Sequence, residues 1–481
     1  MLEYIKGVKN EAPFMYFEKI SKIPRASGNE RAMADYLVSF ACQQGLFSYR
    51  DEFNNVLIVR EASVGRENDA PVMLQAHTDM VAEKNVGTAH DFATDPIKLI
   101  QEGNILRADG TTLGGDDGFG VGVMMAVLAD KSISVPYLEC LFTSSEEIGL
   151  VGASKFDFSK IKSRRMVNLD SAEERCVITG CCGGVRSDFT LNTEFEIGSK
   201  KGVLLTLGGL CGGHSGEDIY KNRLNSNITL GGLIEEINAQ IPVKIAYMSG
   251  GDKDNAIPRE CCATIVPCNE ADFEKLISAC DLLGSTLAKK VVAEEDNGAY
   301  IKAEKTEANS CLSKEDTEKV LEILRTPNGV LKYREDIPVL PRISRNLARV
   351  RTNENGISVG FSSRAVWESE LDERISELDT LAQKIGATVY HHERYPGWES
   401  DINSHLVKSW QSSAKRVMGI DVMAIPIHAG LECGLISKKL NNEIEAISVG
   451  CNVHDLHTPK ETLELDSMDK IYDTVVDFLK N

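Results

Sequence analysis

The sequence lacks an excess of basic residues. Lys and Arg together number 53, and Asp and Glu number 72, which gives a formal net charge of −19. Phosphate groups are bound by basic stripes or patches, and a chain this acidic is a poor match for them. The charge balance therefore predicts that nucleic acid is not a partner.

Long apolar runs and targeting signals are also lacking. No apolar stretch approaches the roughly 18 residues that a membrane span needs. The longest candidate, 119–129, is broken by glycines. The N-terminal segment MLEYIKGVKNEAPF has neither an apolar core nor a small-residue cleavage site. We therefore expect a cytoplasmic protein without a membrane partner.

Paired cysteine motifs are absent although the chain has 13 cysteines. No CxxC pair occurs, and Cys181–Cys182 and Cys261–Cys262 are adjacent pairs that are difficult to bridge. An odd number of cysteines in a reducing compartment is typical of buried thiols. We expect reduced thiols rather than a disulfide framework.

The composition is that of a globular protein, with 42% hydrophobic and 26% charged residues over 481 positions. This length allows two or three domains. Strand patterns alternate with helical patterns in the first part of the chain, which favours an α/β sheet. The predicted strands cover 55–60, 71–75, 137–143 and 166–169, and the predicted helices cover 27–44 and 116–130.

The alternation stops at the small-residue stretch CCGG, 181–184, which predicts a flexible linker. An α+β pattern follows, and the strand–helix alternation returns near 397. We therefore predict a doubly wound mixed α/β sheet. It forms one domain from 1–184 and 397–481, and 185–396 form an inserted α+β domain.

Imidazole and acidic side chains follow three of the predicted strands. His77 could bind a metal through one ring nitrogen while Asp79 holds the other. Glu146 and Glu147 end another strand, where successive side chains point to opposite sides, so one could bind a metal and the other activate a water. Asp170 ends a third strand. Taken singly, each of these groups is also compatible with a solvated loop residue.

Two more features carry acidic or imidazole groups. Asp116 and Asp117 follow a glycine pair at the start of a predicted helix, where one carboxylate is an ordinary helix cap. A second carboxylate beside it requires a positive partner. His457 lies in the loop HDLHTPKE, and His454 in the same loop competes for its role.

Charge considerations connect these residues. If Asp116, Glu147 and Asp170 shared one cleft, their carboxylates would repel, and some would be protonated without a counter-charge. Two divalent ions would supply that charge. Imidazole and carboxylate ligands suit Zn²⁺, and Co²⁺ or Mn²⁺ can fill the same ligand set.

Seven motifs occur in a characteristic order: HTDMV, LGGDDG, SSEEIG, NLDSAE, GGHSGEDI, HAGLECG and HTPKE. With them, the chain from near Lys19 to its last helix resembles the co-catalytic zinc exopeptidases that include carnosinases and aminoacylases. Within that group it is most similar to the aminoacyl-histidine dipeptidases. The resemblance implies hydrolysis of dipeptides, Xaa-His among them, by a water that two zinc ions activate.

The resemblance also implies residue roles. His77 and Asp170 would bind one zinc ion, Glu147 and His457 the other, and Asp116 would bridge both. Asp79 would orient His77, and Glu146 would be the general base. The Asp116–Asp117 peptide would be cis; the family often has Asn where this chain has Asp117.

Substrate contacts are implied for four residues of the middle section and the loop near 430: His214, Asn255, Arg364 and Gly430. His214 would stabilise the oxyanion, and Arg364 would bind the terminal carboxylate of the dipeptide. The resemblance further implies a phosphorylase/hydrolase-like catalytic domain, 1–184 and 397–481. The inserted domain, 185–396, would be a lid domain that closes over the cleft, and in the wider group it also forms homodimers.

Two other functions share these residues. An N-acyl amino acid deacylase would use the same metal ligands and base but would not need a contact for a free amino group. A non-catalytic metal- or peptide-binding homologue would be expected to lose the base, and this chain keeps Glu146.

Overall fold

The computed structural model describes residues 2–481, which contain twelve α-helices. The helices are α1 (Glu11–Ile20), α2 (Arg31–Gln44), α3 (Gly115–Ala129), α4 (Val151–Lys155), α5 (Ser226–Asn238), α6 (Phe273–Cys280), α7 (Leu283–Ala288), α8 (Lys314–Leu324), α9 (Glu368–Ile385), α10 (His405–Met418), α11 (Glu432–Lys439) and α12 (Leu465–Lys480). Among the same residues, no helix combines the length and apolar composition that crossing a membrane requires.

The same residues form 24 strands. They are β1 (Phe47–Arg50), β2 (Val56–Arg60), β3 (Val72–His77), β4 (Leu99–Glu102), β5 (Ile105–Ala108), β6 (Leu138–Thr143), β7 (Arg165–Asn168), β8 (Cys176–Cys181), β9 (Gly183–Asn192), β10 (Glu196–Gly208), β11 (Gly213–His214), β12 (Val243–Gly250), β13 (Ala256–Ile257), β14 (Cys261–Pro267), β15 (Tyr300–Cys311), β16 (Gly329–Tyr333), β17 (Pro341–Asn353), β18 (Gly356–Ala365), β19 (Thr388–Tyr395), β20 (Trp398–Glu399), β21 (Met423–Pro426), β22 (Glu445–Ser448), β23 (Val453–His454) and β24 (Thr462–Glu464).

The described chain divides into two compact units. Unit 1 comprises Met1–Cys181, Trp398–Ile427 and Leu431–Asn481, and unit 2 comprises Cys182–Gly397 and His428–Gly430. The domain boundaries predicted from the sequence, at 184/185 and 396/397, remain a prediction.

Unit 1 is built on a mixed sheet in the order β1-β2-β6-β3-β7-β22-β8-β20, with β21 paired to β8. β6, β3, β7 and β22 run parallel to one another, while β1 with β2, β2 with β6, β22 with β8 and β8 with β20 pair antiparallel. Alternate strand residues face two separate cores, because side chains in a strand alternate between the two faces of the sheet. Helices α1, α2, α3, α10 and α12 contribute to one core and α11 to the other, as a doubly wound fold requires.

Unit 2 has an antiparallel sheet in the order β15-β10-β14-β12-β17-β18-β9-β19, with β16 paired to β17. Helices α5 to α9 contribute apolar side chains to one core with this sheet. A two-stranded ribbon, β11 and β13, completes the unit. The mixed α/β fold predicted from the sequence is confirmed.

Two local predictions differ from the structure. The stretch CCGG was expected to be a flexible linker, but it joins β8 to β9, and Cys181 to Gly184 are all buried. The helix expected over 27–44 begins only at Arg31, because the preceding turn is fixed to the end of β3: Ala26 bridges Met80, and Ser27 donates its amide to the Met80 carbonyl. All 13 cysteines lie within residues 2–481 and are free thiols.

Trp410 is the largest fully buried side chain of unit 1, and its ring lies 5.8 Å from that of Phe478 between α10 and α12. We expect Trp410→Ala to lower the free energy of unfolding by about 3–5 kcal/mol, because the substitution leaves a cavity. Trp367→Ala is the control: Trp367 is 47% exposed, so its removal should change stability by about 0.5 kcal/mol or less. Urea denaturation of both variants checks this, and equal losses would contradict the packing described.

Candidate metal centre

Three neighbouring parallel strands of unit 1 bring acidic and imidazole groups to one edge of the sheet. β3 lies between β6 and β7, with His77 opposite Thr143 and Gln75 opposite Asn168. His77 ends β3, and the residues after β6 and β7 follow at the same edge. Ligands of open α/β sheets bind outside these carboxyl ends, so the topology itself assembles the site.

The five predicted metal ligands lie together. His77 Nε2 is 3.0 Å from Asp116 Oδ1 and 3.5 Å from Asp170 Oδ1. His457 Nε2 is 3.3 Å from Asp116 Oδ2 and 3.1 Å from Glu147 Oε2. Each oxygen of Asp116 therefore faces a different histidine, which is the arrangement a bridging carboxylate needs. Their role as ligands remains a prediction.

Burial changes the pKa values of these groups and so decides which of them are charged. Burial raises the pKa of Asp170 to about 8, against the opposing effect of His77. Burial lowers the pKa of His457, but hydrogen bonds to Asp116 and Glu147 raise it to about 11 overall. Among the described residues, Glu147 Oε1 is buried without a hydrogen-bond partner. The carboxylates thus compete for a small number of positive charges.

This donor set fits a pair of divalent ions. Two groups of residues meet the spacing that a metal requires, His77–Asp116–Asp170 and Asp116–Glu147–His457, and they share Asp116. A third group joins His77 with Glu146 and Glu147. Imidazole nitrogens and carboxylate oxygens are the ligands expected at such a centre, and the unpartnered oxygen of Glu147 is a donor position without another use.

Asp79 connects the histidine to the glutamate pair. Its side chain is fully buried and accepts hydrogen bonds from the amides of Glu146 (3.0 Å) and Glu147 (3.2 Å) and from the hydroxyl of Ser27 (2.8 Å). His77 Nδ1 lies 3.2 Å from the Asp79 carbonyl oxygen and 3.5 Å from its carboxylate. Burial raises the pKa of Asp79, but these contacts lower it overall. Asp79 can therefore hold both the imidazole and the Glu146–Glu147 turn.

Glu146 lies beside the ligands without joining either group that shares Asp116. Burial raises its pKa well above the usual range; His77 opposes this effect, and the carboxylates of Glu147, Asp170 and Glu432 add to it. A glutamate with a raised pKa can accept a proton and release it again near neutral pH.

Asp117 is held by backbone amides. Its carboxylate accepts from the amides of His77 (3.3 Å) and Gly120 (3.2 Å), and the Asp116–Asp117 peptide is cis, as the resemblance implies. The positive partner expected for this second acid is not in direct contact with it; Arg25 acts from a distance and donates to carbonyl oxygens instead.

The two C-terminal histidines have different surroundings. His454 is 53% exposed at its side chain, and its Nε2 lies 2.9 Å from Glu464. His457 faces Asp116 and Glu147.

Buried charged residues without a predicted role also surround the site, among them Arg25, Glu30 and Glu432. Arg25 donates to the carbonyl oxygens of Thr78 (3.1 Å), Asp79 (3.1 Å) and Gly114 (2.5 Å). Glu30 accepts from the amide and the hydroxyl of Ser145, and Glu432 from Gln75 and Thr143. Burial raises the pKa of Glu432 to about 7. Their partners lie far away in the sequence, so no local pattern identifies them.

The four predicted substrate contacts lie in unit 2. His214 is opposite Ala256 in the β11–β13 ribbon, and the next amide, of Ser215, donates to the carbonyl of Asn255 (2.7 Å). Arg364 is buried and donates to the Tyr395 hydroxyl (2.7 Å).

Gly430 and Gly216 show how closely these segments approach each other within unit 2. A Cβ on Gly430 would lie 2.7 Å from the Tyr395 ring. A Cβ on Gly216 would lie 3.2 Å from His214 Cε1 and 3.3 Å from Arg364 Nε. Glycine at position 216 therefore lets the imidazole and the guanidinium approach the same point.

Comparison with known proteins finds a matching family model and a relative that aligns over nearly the whole chain. The model of the peptidase family M20/M25/M40 matches residues 73–481. The cytosol non-specific dipeptidase of Escherichia coli (strain K12) is 34% identical over 474 residues, which cover 96% of either chain.

Solved structures also match this chain over nearly its whole length. The crystal structure of aminoacylhistidine dipeptidase from Vibrio alginolyticus matches with a TM-score of 0.80 and 32% identity, over 99% of this chain and 98% of that one. Human carnosine dipeptidase 1, at a TM-score of 0.53 and 11% identity over 98% of this chain and 95% of its own, shares the fold. The family model, the full-length relative and the strand-end cluster agree with the resemblance predicted from the motifs: the chain belongs to the peptidase family M20/M25/M40.

Proposed function

We propose that the chain is a metal-dependent dipeptidase that hydrolyses dipeptides, Xaa-His among them. The observation that carries this proposal is the pair of ligand groups that share Asp116, with Glu146 adjacent to them. Its relatives, a cytosol non-specific dipeptidase and an aminoacylhistidine dipeptidase, act on such substrates by name. The name of the Escherichia coli relative supports the cytosol as the compartment.

The centre would hold two divalent ions. In the proposed assignment His77 and Asp170 would hold one ion, Glu147 and His457 would hold the other, and Asp116 would contribute a ligand to each. Zn²⁺ suits these nitrogen and oxygen ligands best, with Co²⁺ or Mn²⁺ as alternatives. When bound, such a pair supplies positive charge that makes a water acidic and polarises the scissile carbonyl.

Glu146 is the proposed general base. It takes a proton from the attacking water and delivers it to the amine that leaves when the peptide bond breaks. The raised pKa of Glu146 suits both steps, because the group must hold the proton between them. Asp79 supports the base through its hydrogen bond to the Glu146 amide.

The substrate contacts are proposed from the resemblance and from chemistry. Arg364 has the planar, permanently charged donor group that binds a terminal carboxylate, and Gly430 offers its backbone beside Tyr395. His214 would stabilise the oxyanion, and Asn255 would contact the substrate. A homodimer formed through the residues of the predicted lid domain belongs to the same proposal.

Glu146→Gln tests the base. We expect kcat/KM for Ala-His to fall by about 10²–10⁴-fold while the metal content stays at the wild-type value, because the amide cannot accept the proton. The panel is Ala-His, β-Ala-His, Gly-Gly-Gly and N-acetyl-Ala, assayed with Zn²⁺-loaded enzyme.

Glu445→Gln is the matched control, since Glu445 is exposed at the first position of β22. If the wild type cleaved only N-acetyl-Ala, the proposed function would be that of a deacylase and not of a dipeptidase. Full activity of Glu146→Gln would remove Glu146 from the mechanism.

The two histidines of one loop test the ligand set. We expect His457→Asn to lower the bound Zn²⁺ from about two ions per chain to about one, because one proposed site loses its imidazole. His454→Asn should keep the wild-type content, since the imidazole of His454 contacts Glu464, which is not a proposed ligand. Metal analysis after gel filtration measures both, and equal metal content in the two variants would refute the assignment.

The pH dependence of metal binding follows from the charge of the metal-free cluster. The pKa of Asp170 is about 8 and that of His77 is raised well above its usual value, so the cluster holds protons at neutral pH. A metal ion needs these ligands deprotonated. We expect Zn²⁺ binding to release protons and its apparent affinity to rise from about pH 6 to about pH 8. Calorimetry in buffers of different ionisation enthalpy measures the release; a constant affinity would contradict it.

A further inference from the structure

Glu461 contacts the turn that leads into Asp116. Its carboxylate accepts hydrogen bonds from four successive backbone amides: Leu113 (2.8 Å) and Gly114 (3.0 Å) donate to Oε2, and Gly115 (2.7 Å) and Asp116 (3.3 Å) donate to Oε1. The side chain is only 3% exposed. No step of the proposed reaction uses this group.

The two glycines of this turn fit their charged neighbours. A Cβ on Gly115 would lie 3.2 Å from Glu461 Oε1, so a larger residue would crowd the carboxylate. Gly114 has φ +67°, and a Cβ there would lie 2.5 Å from Arg25 Nη2. The turn is therefore shaped to receive a carboxylate on its amides and a guanidinium beside it.

Arg25 and Glu461 together join three segments that carry proposed ligands. Arg25 bonds the carbonyls of Thr78 and Asp79, directly after His77, and that of Gly114. Glu461 joins the amides of this same turn to the segment that carries His457, four residues before it in the sequence. The peptide group between Gly114 and Gly115 is thus bound on both its C=O and its N–H side.

We propose that Glu461 is a positioning residue that fixes the backbone of Asp116, and with it the direction in which each Asp116 oxygen points. A bridging carboxylate has little freedom, because its two oxygens must serve two metal ions at once. A group that holds the Asp116 amide and the preceding three amides restrains the backbone rotations that would displace the Asp116 side chain and turn one oxygen away. This inference rests on the proposed ligand set.

Glu461→Gln in the full chain tests the proposal. Glutamine keeps the size of the side chain but has only one acceptor oxygen. Its NH₂ group, which is a donor, would face two backbone N–H groups, which are also donors. We expect the apparent affinity for Zn²⁺, measured by competition with a chromogenic chelator, to fall by about 10- to 100-fold. The visible spectrum of the Co²⁺ form should also change, because the geometry around the bridging carboxylate changes.

Glu139→Gln is the matched control. Glu139 is equally buried in unit 1 and accepts from the amides of Lys162 (2.9 Å) and Ser163 (2.8 Å), but it lies near the start of β6, at the opposite end of the strand from the site. Its substitution should leave the Zn²⁺ affinity and the Co²⁺ spectrum at wild-type values. Thermal unfolding of the metal-free forms shows how much stability each variant loses.

Glu461→Asp provides a second variant that keeps the charge but withdraws the carboxylate by one methylene group. A smaller loss of affinity than that of Glu461→Gln, in a folded protein, supports the proposal. Wild-type affinity and an unchanged Co²⁺ spectrum in either folded variant would overturn it, as would an equal loss in Glu139→Gln. This test does not measure dipeptide cleavage. A wild type that binds metal without cleaving dipeptides would refute the proposed function, but the role of Glu461 could still be tested.

Discussion

Repulsion among partly buried carboxylates is the constraint on which the site of unit 1 depends. Asp116, Glu147 and Asp170 lie within contact distance of two imidazoles at the carboxyl edge of the sheet. Carboxylates at such spacing cannot all be charged without compensation. Compensation comes from protonated imidazole in the metal-free chain, and divalent ions would supply it more completely.

Backbone amides provide a second, partial kind of compensation, since burial still raises the pKa of Asp117 and of Glu461 overall. Asp79, Asp117 and Glu461 are buried acids, and each accepts hydrogen bonds from two or more amides of the loops around the site. An amide bound to a carboxylate stabilises the negative charge and also fixes the loop that carries it. The same hydrogen bonds that make these acids tolerable therefore set the direction of the proposed ligands and base.

The sequence predicted those parts of this arrangement that depend on local pattern. Apolar runs followed by acids identified the ends of β6 and β7, and hence Glu147 and Asp170, because strand ends are local features. The choice between His454 and His457, and the contacts of Arg25 and Glu30, depend on partners far away in the chain. The stretch CCGG suggested flexibility from composition alone, whereas strand pairing with distant segments makes it extended and buried. The strand order of unit 2 depends on similar long-range pairing.

The neighbours Asp116 and Asp117 show why residue type alone does not define a ligand. Asp117 is fully buried and Asp116 is half-buried, and burial raises the pKa of each, yet hydrogen bonds from His457 and His77 lower that of Asp116 well below its usual value. Asp117 meets amides and other carboxylates, and its pKa is raised well above the usual value. The side chain that already stabilises positive charge is the one suited to bind a cation, and its orientation depends on Glu461 and the turn before it. The cation-binding property thus belongs to the assembled loops, which is why an isolated acidic pair in a sequence does not reveal it.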